Sequence, residues 1–203
     1  MQTDNGEKIT AREAQRRATR ERVFGVAVEE FKRSGVAAAD VGSIVADAGV
    51  AHGTFYFHFP TKEHVVAELG HREEVRMAAV LDRFLATPRD LRTMLTEVIR
   101  QAGLLERRLG AALFKDMLAL YFSPARPELE AWADHPLIGR VIEEFERARD
   151  DGEIHDDDID DVNSATFFFL GLYALLITHD RTPQRGVVLE QFVTVLLRGL
   201  ETP

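Results

Sequence analysis

The sequence predicts an all-α protein of about nine helices, and three observations carry that prediction. Apolar residues recur at three- and four-residue intervals along most of the chain, and no strand-length stretch alternates with period two between hairpin turns. The seven prolines fall at positions 60, 88, 124, 127, 136, 183 and 203, leaving the long proline-free stretches that helix interiors require. Glycines or good N-cap residues stand where several of those stretches begin or end. With 203 residues, 45% of them hydrophobic, the chain can bury a sizeable core and is not a disordered polymer.

The first helix is expected over Ala11 to Ser34, with Val23, Phe24, Ala27, Val28 and Phe31 as its apolar stripe and Gly35 as its stop. Asp40 is a good N-cap for a short helix that runs to Ala48 and ends at Gly49. A second short helix covers Ala51 to Phe59 and is stopped by Pro60. Thr61 can cap the next helix, from Lys62 towards Leu85, whose apolar positions are Val66, Leu69, Met77, Val80, Leu81 and Phe84. After Pro88 come Leu91, Leu95, Val98, Ile99, Ala102 and Leu105, with Gly103 and Gly110 as weak points. A segment around Leu113, Phe114, Met117, Leu118 and Tyr121 follows, then a loop-rich stretch from Ser123 to Pro136 that holds the sole tryptophan, Trp132. Ile138, Val141, Ile142 and Phe145 mark a helix stopped near Gly152. A very apolar helix is expected from Ile159 to about His179, with acids in its first turn to suit the helix dipole. Pro183 opens the region of the last helix, which carries Leu189, Phe192, Val193, Leu196 and Leu200 on one face.

Composition excludes several function classes. There is no cysteine, so disulfides, thiolate metal sites and a cysteine nucleophile are out. The longest near-apolar run, Ala165 to Ile177, is shorter than the roughly 20 residues that span a bilayer. Met1 to Thr10 carries no apolar signal region, so a cytoplasmic protein with no membrane partner is expected. The net charge of −9 argues, taken whole, against an acidic partner, but it is unevenly spread. Residues 1–62 hold nine Lys/Arg against eight Asp/Glu, and Lys8 to Arg22 concentrates six of those bases. Residues 63–203 hold 16 against 26, with eight acids between Asp150 and Asp161. Such polarity hints at a nucleic-acid contact near the N-terminus, although a charge run alone is more often a solvated face.

The segment from Asp40 to Lys62 gives that hint a structure. Two short helices meet at Gly49, with Ile44, Val45, Ala48, Val50 and Phe55 available to pack them, which is the plan of a helix-turn-helix whose second helix enters the major groove. His52, Gly53 and Thr54 open that second helix. His52 can donate to a base acceptor, Gly53 permits close backbone approach, and Thr54 suits a phosphate or a thymine methyl. Tyr56 offers a hydroxyl on a rigid ring, and His58 and Lys62 suit phosphate oxygens on the same side. Phe55 and Phe59 belong to the core, and Phe57 is divided between packing and a phosphate contact.

The run Gly49-Val50-Ala51-His52-Gly53-Thr54-Phe55-Tyr56-Phe57-His58-Phe59-Pro60-Thr61-Lys62 resembles the signature of TetR-family transcriptional regulators, and the likeness covers about residues 17–77. The resemblance implies a helix-turn-helix DNA-binding domain over 17–77, its motif at about 40–59 and a basic N-terminal arm before it, then a helical-bundle domain over 78–203 that binds a ligand and dimerises. It implies DNA contacts at His52, Gly53, Thr54, Tyr56, Phe57, His58 and Lys62, with Gly42 and Ser43 beside the backbone or a base. The partners implied are a double-stranded, pseudo-palindromic operator, a small-molecule effector and a second copy of the chain, with no metal and no cofactor. The chain departs from the family pattern at Ala51, in place of a serine-like cap, at Val45, in place of a common alanine, and at Gly42, where relatives carry a long polar side chain.

Residues 78–203 carry no portable motif. The resemblance implies a dimer interface from the last two helices, with Phe167, Leu170, Leu189, Phe192, Val193 and Leu196 as candidates. Phe167, Phe168 and Phe169 point in three successive directions of one helix, so one core face cannot cover them all. Aromatic and methionine positions at helical spacing suggest an effector pocket near Phe114, Met117, Tyr121, Trp132, Phe168 and Tyr173, although such stripes are more often plain core. Two other functions compete. The dipeptides His155-Asp156 and His179-Asp180, with His64 and His71, resemble the metal step of helical phosphohydrolases but lack partners at clear spacing. A helical adaptor would use the acidic face for a protein partner instead. No Ser-His-Asp arrangement, phosphate-cradling glycine loop or zinc motif is present, so no enzyme is expected.

Overall fold

The computed structural model describes residues 10–124, 127, 135–155 and 160–200. Trp132 lies outside them, as do Lys8, Asp156 and Ile159. Nine helices and no strand occur among the described residues. The chain divides into two compact units, Met1–Val66 and Ala67–Pro203.

The first unit is built on α1 (Ala11–Ser34), α2 (Val41–Ala48) and α3 (His52–His58). Thr10 starts α1 with a reciprocal box. Its hydroxyl accepts from the Glu13 N–H, and the Glu13 carboxylate accepts from the Thr10 N–H at 2.9 Å. Gly35, at φ 78°, ends it. Val23, Phe24, Ala27, Val28 and Phe31 are all buried, the stripe expected from spacing. Asp40 caps α2 by accepting from the Ser43 N–H at 2.9 Å, and Gly49 ends it in the left-handed region at φ 63°. Arg22 of α1 donates through Nε to the Ala48 carbonyl at 2.8 Å, so an arginine satisfies one of the acceptors that the end of α2 exposes. The third helix has no side-chain cap at Ala51 and only one buried residue, Phe55.

Helix α4 (Lys62–Phe84) follows, and the division between the units falls within it. Thr61 sits just before it, with its hydroxyl 3.0 Å from His64 Nδ1. The second unit contains α5 (Leu91–Leu109), α6 (Ala111–Leu120), α7 (Pro136–Asp150), α8 (Asp161–Thr178) and α9 (Pro183–Leu200). Gly110, at φ 80°, separates α5 from α6, whereas Gly103 stays inside α5 without breaking it. Asp90 and Asp160 cap α5 and α8 through the N–H groups of Thr93 and Asn163, both at 2.7 Å. Helix α8 packs on α6, α7 and α9, and α5 packs on α6, α7 and α9.

The apolar run expected to be too short for a membrane is lengthened by a first turn. The whole of α8 is long and apolar enough, by length and composition, to cross one. Ser164, Ala165, Phe168, Phe169, Leu172 and Leu176 are nevertheless buried inside the unit, whereas Val162, Phe167 and Leu170 are exposed. Charged groups also enter this core. Arg185, at the start of α9, donates to both carboxylate oxygens of Glu106 near the end of α5, at 3.2 and 2.5 Å, with both side chains buried.

Candidate nucleic-acid interface and effector cavity

Helix α3 shows two faces. Phe55 is fully buried, and its ring lies 6.1 Å from that of Phe59, which in turn lies 6.2 Å from Phe24 of α1. This aromatic column fixes the helix against α1. The opposite face turns outward, with His52 and Gly53 exposed, Tyr56 47% exposed and Phe57 67% exposed. His52 and Tyr56, one turn apart, lie edge to ring at 5.5 Å, so the two polar groups stand side by side on one face. Thr54 and His58 are half-buried at its border.

The basic run of α1 meets that border. Arg12, Gln15, Arg16 and Thr19 line a groove with Thr54, Phe57 and His58. The Arg16 guanidinium sits 5.3 Å from the centre of the Phe57 ring, and that of Arg20 sits 4.6 Å from the centre of the Phe59 ring. Arg12 and Arg16 were visible in the sequence only as part of a charge run, and Thr19 not at all; their place beside α3 depends on how α1 packs. Burial, followed by the charges of Arg16 and Arg20, holds the His58 imidazole below its ordinary pKa of 6.5.

Three candidates have local work that spacing did not reveal. A Cβ added at Gly42 would lie 2.9 Å from a carboxylate oxygen of Asp40, so glycine leaves room for the cap. Ser43 gives both its N–H and its hydroxyl to the same Asp40 oxygen, at 2.9 and 3.1 Å. These N–H donors, Ser43 first and then Gly42, hold the Asp40 carboxyl below its ordinary pKa. The Lys62 ammonium, expected to face a phosphate, donates to the carbonyls of Ala37 and Ala39 at 3.0 and 3.1 Å. It thereby ties the α1–α2 loop to the start of α4.

The second unit holds a cavity lined by residues of α4, α5, α6, α7 and α8, with Phe114, Met117, Tyr121 and Tyr173 among its walls. About 30 Å³ of it admits the centre of a water molecule, room for no more than a water or two. Phe168, expected at this site, is not among its walls. It turns to α9 and stacks on Phe192 at 5.9 Å, and Phe169, about 100° further round the helix, faces the cavity instead. Glu74 also lines the cavity although buried, accepting from the Tyr121 hydroxyl, with His135 Nδ1 at 2.7 Å from its second oxygen. Spacing did carry a signal for it, since Val66, Gly70, Glu74, Met77 and Leu81 follow a core register and one of them is charged.

The interface candidates divide in the same way. Phe167 is 51% exposed, Leu170 is also exposed, and Phe192 and Leu196 are half-buried. Leu189 and Val193 are buried within the unit, so they offer a partner no surface. They lie with Arg185 and Leu197 on a stripe of four-residue spacing that packs inward, which the apolar pattern of α9 did not distinguish from an outward one. The exposed Val162, Val187 and Val195 were not among the residues named individually for the interface, although Val162 and Val195 lie in the two helices expected to form it. Phe192 is held by a glycine opposite, because a Cβ at Gly171 would lie 2.5 Å from its ring.

Among the described residues, which include His179-Asp180 but not Asp156, no three His, Asp or Glu side chains gather as a metal would need. Asp180 is instead paired with Lys115 at 3.0 Å.

Comparison with known proteins agrees with the geometry of the first unit. Residues 24–69 match the family described as bacterial regulatory proteins, tetR family. The HTH-type transcriptional regulator AcrR of Shigella flexneri is 32% identical over 91 residues, which is 44% of this chain and 41% of that protein. The match therefore spans about two fifths of that relative's length. Among solved structures, the Thermus thermophilus repressor FadR in complex with lauroyl-CoA is similar with a TM-score of 0.68 and 24% identity, over 89% of this chain and 92% of that one. RolR in complex with resorcinol has a TM-score of 0.66 and 18% identity, over 92% of this chain and 89% of that one. At these identities the structural likeness shows the fold alone.

Proposed function

We propose that this chain, residues 24–69 of which match the tetR family of bacterial regulatory proteins, is a sequence-specific, DNA-binding repressor of that family, cytoplasmic and non-enzymatic, that a small molecule releases from its operator. Residues 17–77 form the DNA-binding domain and residues 78–203 the effector and dimer domain. One observation carries the reading: a seven-residue helix buries Phe55 while holding His52, Gly53 and Tyr56 outward together beside the arginines of α1. In a core corner those positions would be covered; a recognition helix needs them open.

Gly42, Ser43, Thr54, Phe57, His58 and Lys62 complete the DNA-facing set, Ser43 and Lys62 chiefly by holding the domain's loops. Arg12 and Arg16 join them as phosphate contacts. The protein acts as a dimer through the exposed residues Phe167, Leu170, Val187 and Val195, with Phe192 and Leu196 at their edge, and two α3 helices then reach successive major grooves. The effector enters the cavity at Phe114, Met117, Tyr121 and Tyr173 and favours the dimer that cannot bind DNA, a coupling of about 1–3 kcal/mol. The acidic second unit limits loose attachment to DNA.

Selection of bound DNA from a random pool tests this. A pseudo-palindromic site whose half-sites lie about one helical turn apart is expected; enrichment of no sequence would refute it. On the selected site, His52→Ala should change base preference by about 1–3 kcal/mol at one position per half-site. Tyr56→Phe should weaken all sequences alike. Competition binding across single-base variants separates the two effects.

DNA affinity should also rise as pH falls from 7.5 to 5.5 at constant salt. His58 is neutral near pH 7 because its pKa is lowered, and a phosphate beside it favours the protonated form, so binding takes up a proton. Folding responds with the opposite sign. The depressed pKa contributes stability above the unfolded value of 6.5, and that contribution is lost as pH falls through the folded value. His58→Gln should flatten the pH dependence of DNA binding, measured by fluorescence anisotropy; an unchanged slope would assign it elsewhere.

A further inference from the structure

The chemistry of the cavity wall narrows what it can hold. Apart from Glu73 and Glu74 its lining is apolar and aromatic, with no lysine or arginine among the described residues. Glu73 is already neutralised by Arg76 and Arg108, at 2.7 and 2.6 Å. Glu74 is the polar point of the site, and its two partners, the Tyr121 hydroxyl and the His135 ring, occupy one position on each oxygen. A carboxylate oxygen accepts more than one hydrogen bond, so a ligand donor can be added without displacing either partner. A ligand acceptor or anion would meet a buried carboxylate with no cation in the wall to offset it. The present space is below the size of a ring, but Met77 and Met117 stand in the wall, and unbranched thioether chains repack at low cost.

We propose that the effector is an apolar, ring-sized molecule without negative charge that presents one N–H or O–H donor to the Glu74 carboxylate between α4 and α6. The proposal rests on the reading of this cavity as the effector site. It separates this chain from the structural neighbour solved with lauroyl-CoA, a ligand that carries anionic phosphates.

Isothermal titration at pH 7 with phenol, benzylamine, toluene and benzoate, on the full chain without DNA, tests the chemistry. The four probes share one ring and differ in a neutral donor, a cationic donor, no polar group and an anion. Phenol or benzylamine should bind about tenfold tighter than toluene or benzoate, because a donor to a carboxylate makes a charge-assisted bond. Glu74→Gln keeps the shape and should weaken that donor by roughly fivefold. Tyr121→Phe removes a competing donor from Glu74 and should leave donor affinity unchanged or raise it, whereas a merely structural role for the cluster would lower it. Benzoate binding as tightly as either donor, donors binding no better than toluene, or a Glu74→Gln variant with unchanged donor affinity would each overturn the proposal. The better donor is then titrated against the selected DNA complex. Release supports its class as effector, and saturation without release overturns that assignment. Failure to select any DNA, with Glu74-dependent binding intact, would instead refute the regulator reading and leave the ligand chemistry standing.

Discussion

Replacing Arg185 with alanine should cost the second unit about 3–5 kcal/mol, the expected penalty for leaving one member of a buried ion pair without its partner. Glu106 is 2% exposed, and the two-pronged contact from Arg185 is the charge partner given to it. Water cannot replace the guanidinium without opening the contact between α5 and α9. Arg185 also donates to the His179 carbonyl at 3.4 Å, so the same substitution loosens the connection from α8 to α9. Glu106→Ala should be similarly harmful, for the mirror reason. The double variant Glu106→Leu with Arg185→Met should recover most of the loss, because two apolar side chains of similar volume remove the desolvation cost together with the attraction. Thermal unfolding followed by circular dichroism should show each single variant lowered by roughly 6–20 °C. Single variants within a degree or two of wild type would mean that the pair is solvated in practice.

That pair shows what sequence reading could and could not reach. Helix ends were legible because their causes are local: Asp40 and Gly35 act within four residues of themselves, and α1 falls at Ala11–Ser34 as expected. The outward turn of His52 and Tyr56 was legible because Phe55 and Phe59 claim the inner face of so short a helix. The fate of long charged side chains was not, because it is decided by what packs beside them. Lys62 looked like a phosphate ligand, yet its ammonium rests on two carbonyls more than twenty residues away in sequence. Arg185 and Glu74 were not singled out from the sequence, although each stands in a core register. A charge at an apolar register position is the usable signal, and it points to a buried partner without naming one.

Helix α8 failed for a different reason. It is apolar on nearly every side, so its sequence has no polar face from which to orient it. Phe168 and Phe169 are one position apart, and exchanging them moves a ring from α9 to the cavity. Only neighbours with shape decide between them, here the gap at Gly171 that admits Phe192.

The second large effect belongs to the candidate DNA interface. Phe55→Ala should abolish specific DNA binding and destabilise the first unit by about 3–5 kcal/mol, the usual cost of emptying a buried phenylalanine site. The argument starts from what α3 lacks. Seven residues are too few for a helix to stand alone in water. Ala51 supplies no side-chain cap, Gly53 lowers its helix propensity, and Phe55 is its sole buried side chain. The ring of Phe55 touches those of Tyr56 and Phe59, at 5.3 and 6.1 Å between centres, so its removal also frees the residue whose hydroxyl should meet the DNA. Binding then requires the helix to be reordered at the expense of affinity, which makes the loss larger than that of His52→Ala, although Phe55 touches no DNA. Phe55→Leu should restore most of both properties, because it refills much of the volume and leaves the exposed face unchanged. Anisotropy on the selected site, beside chemical unfolding, distinguishes the outcomes. An alanine variant that binds with wild-type affinity would show that α3 is positioned by something other than its one buried ring.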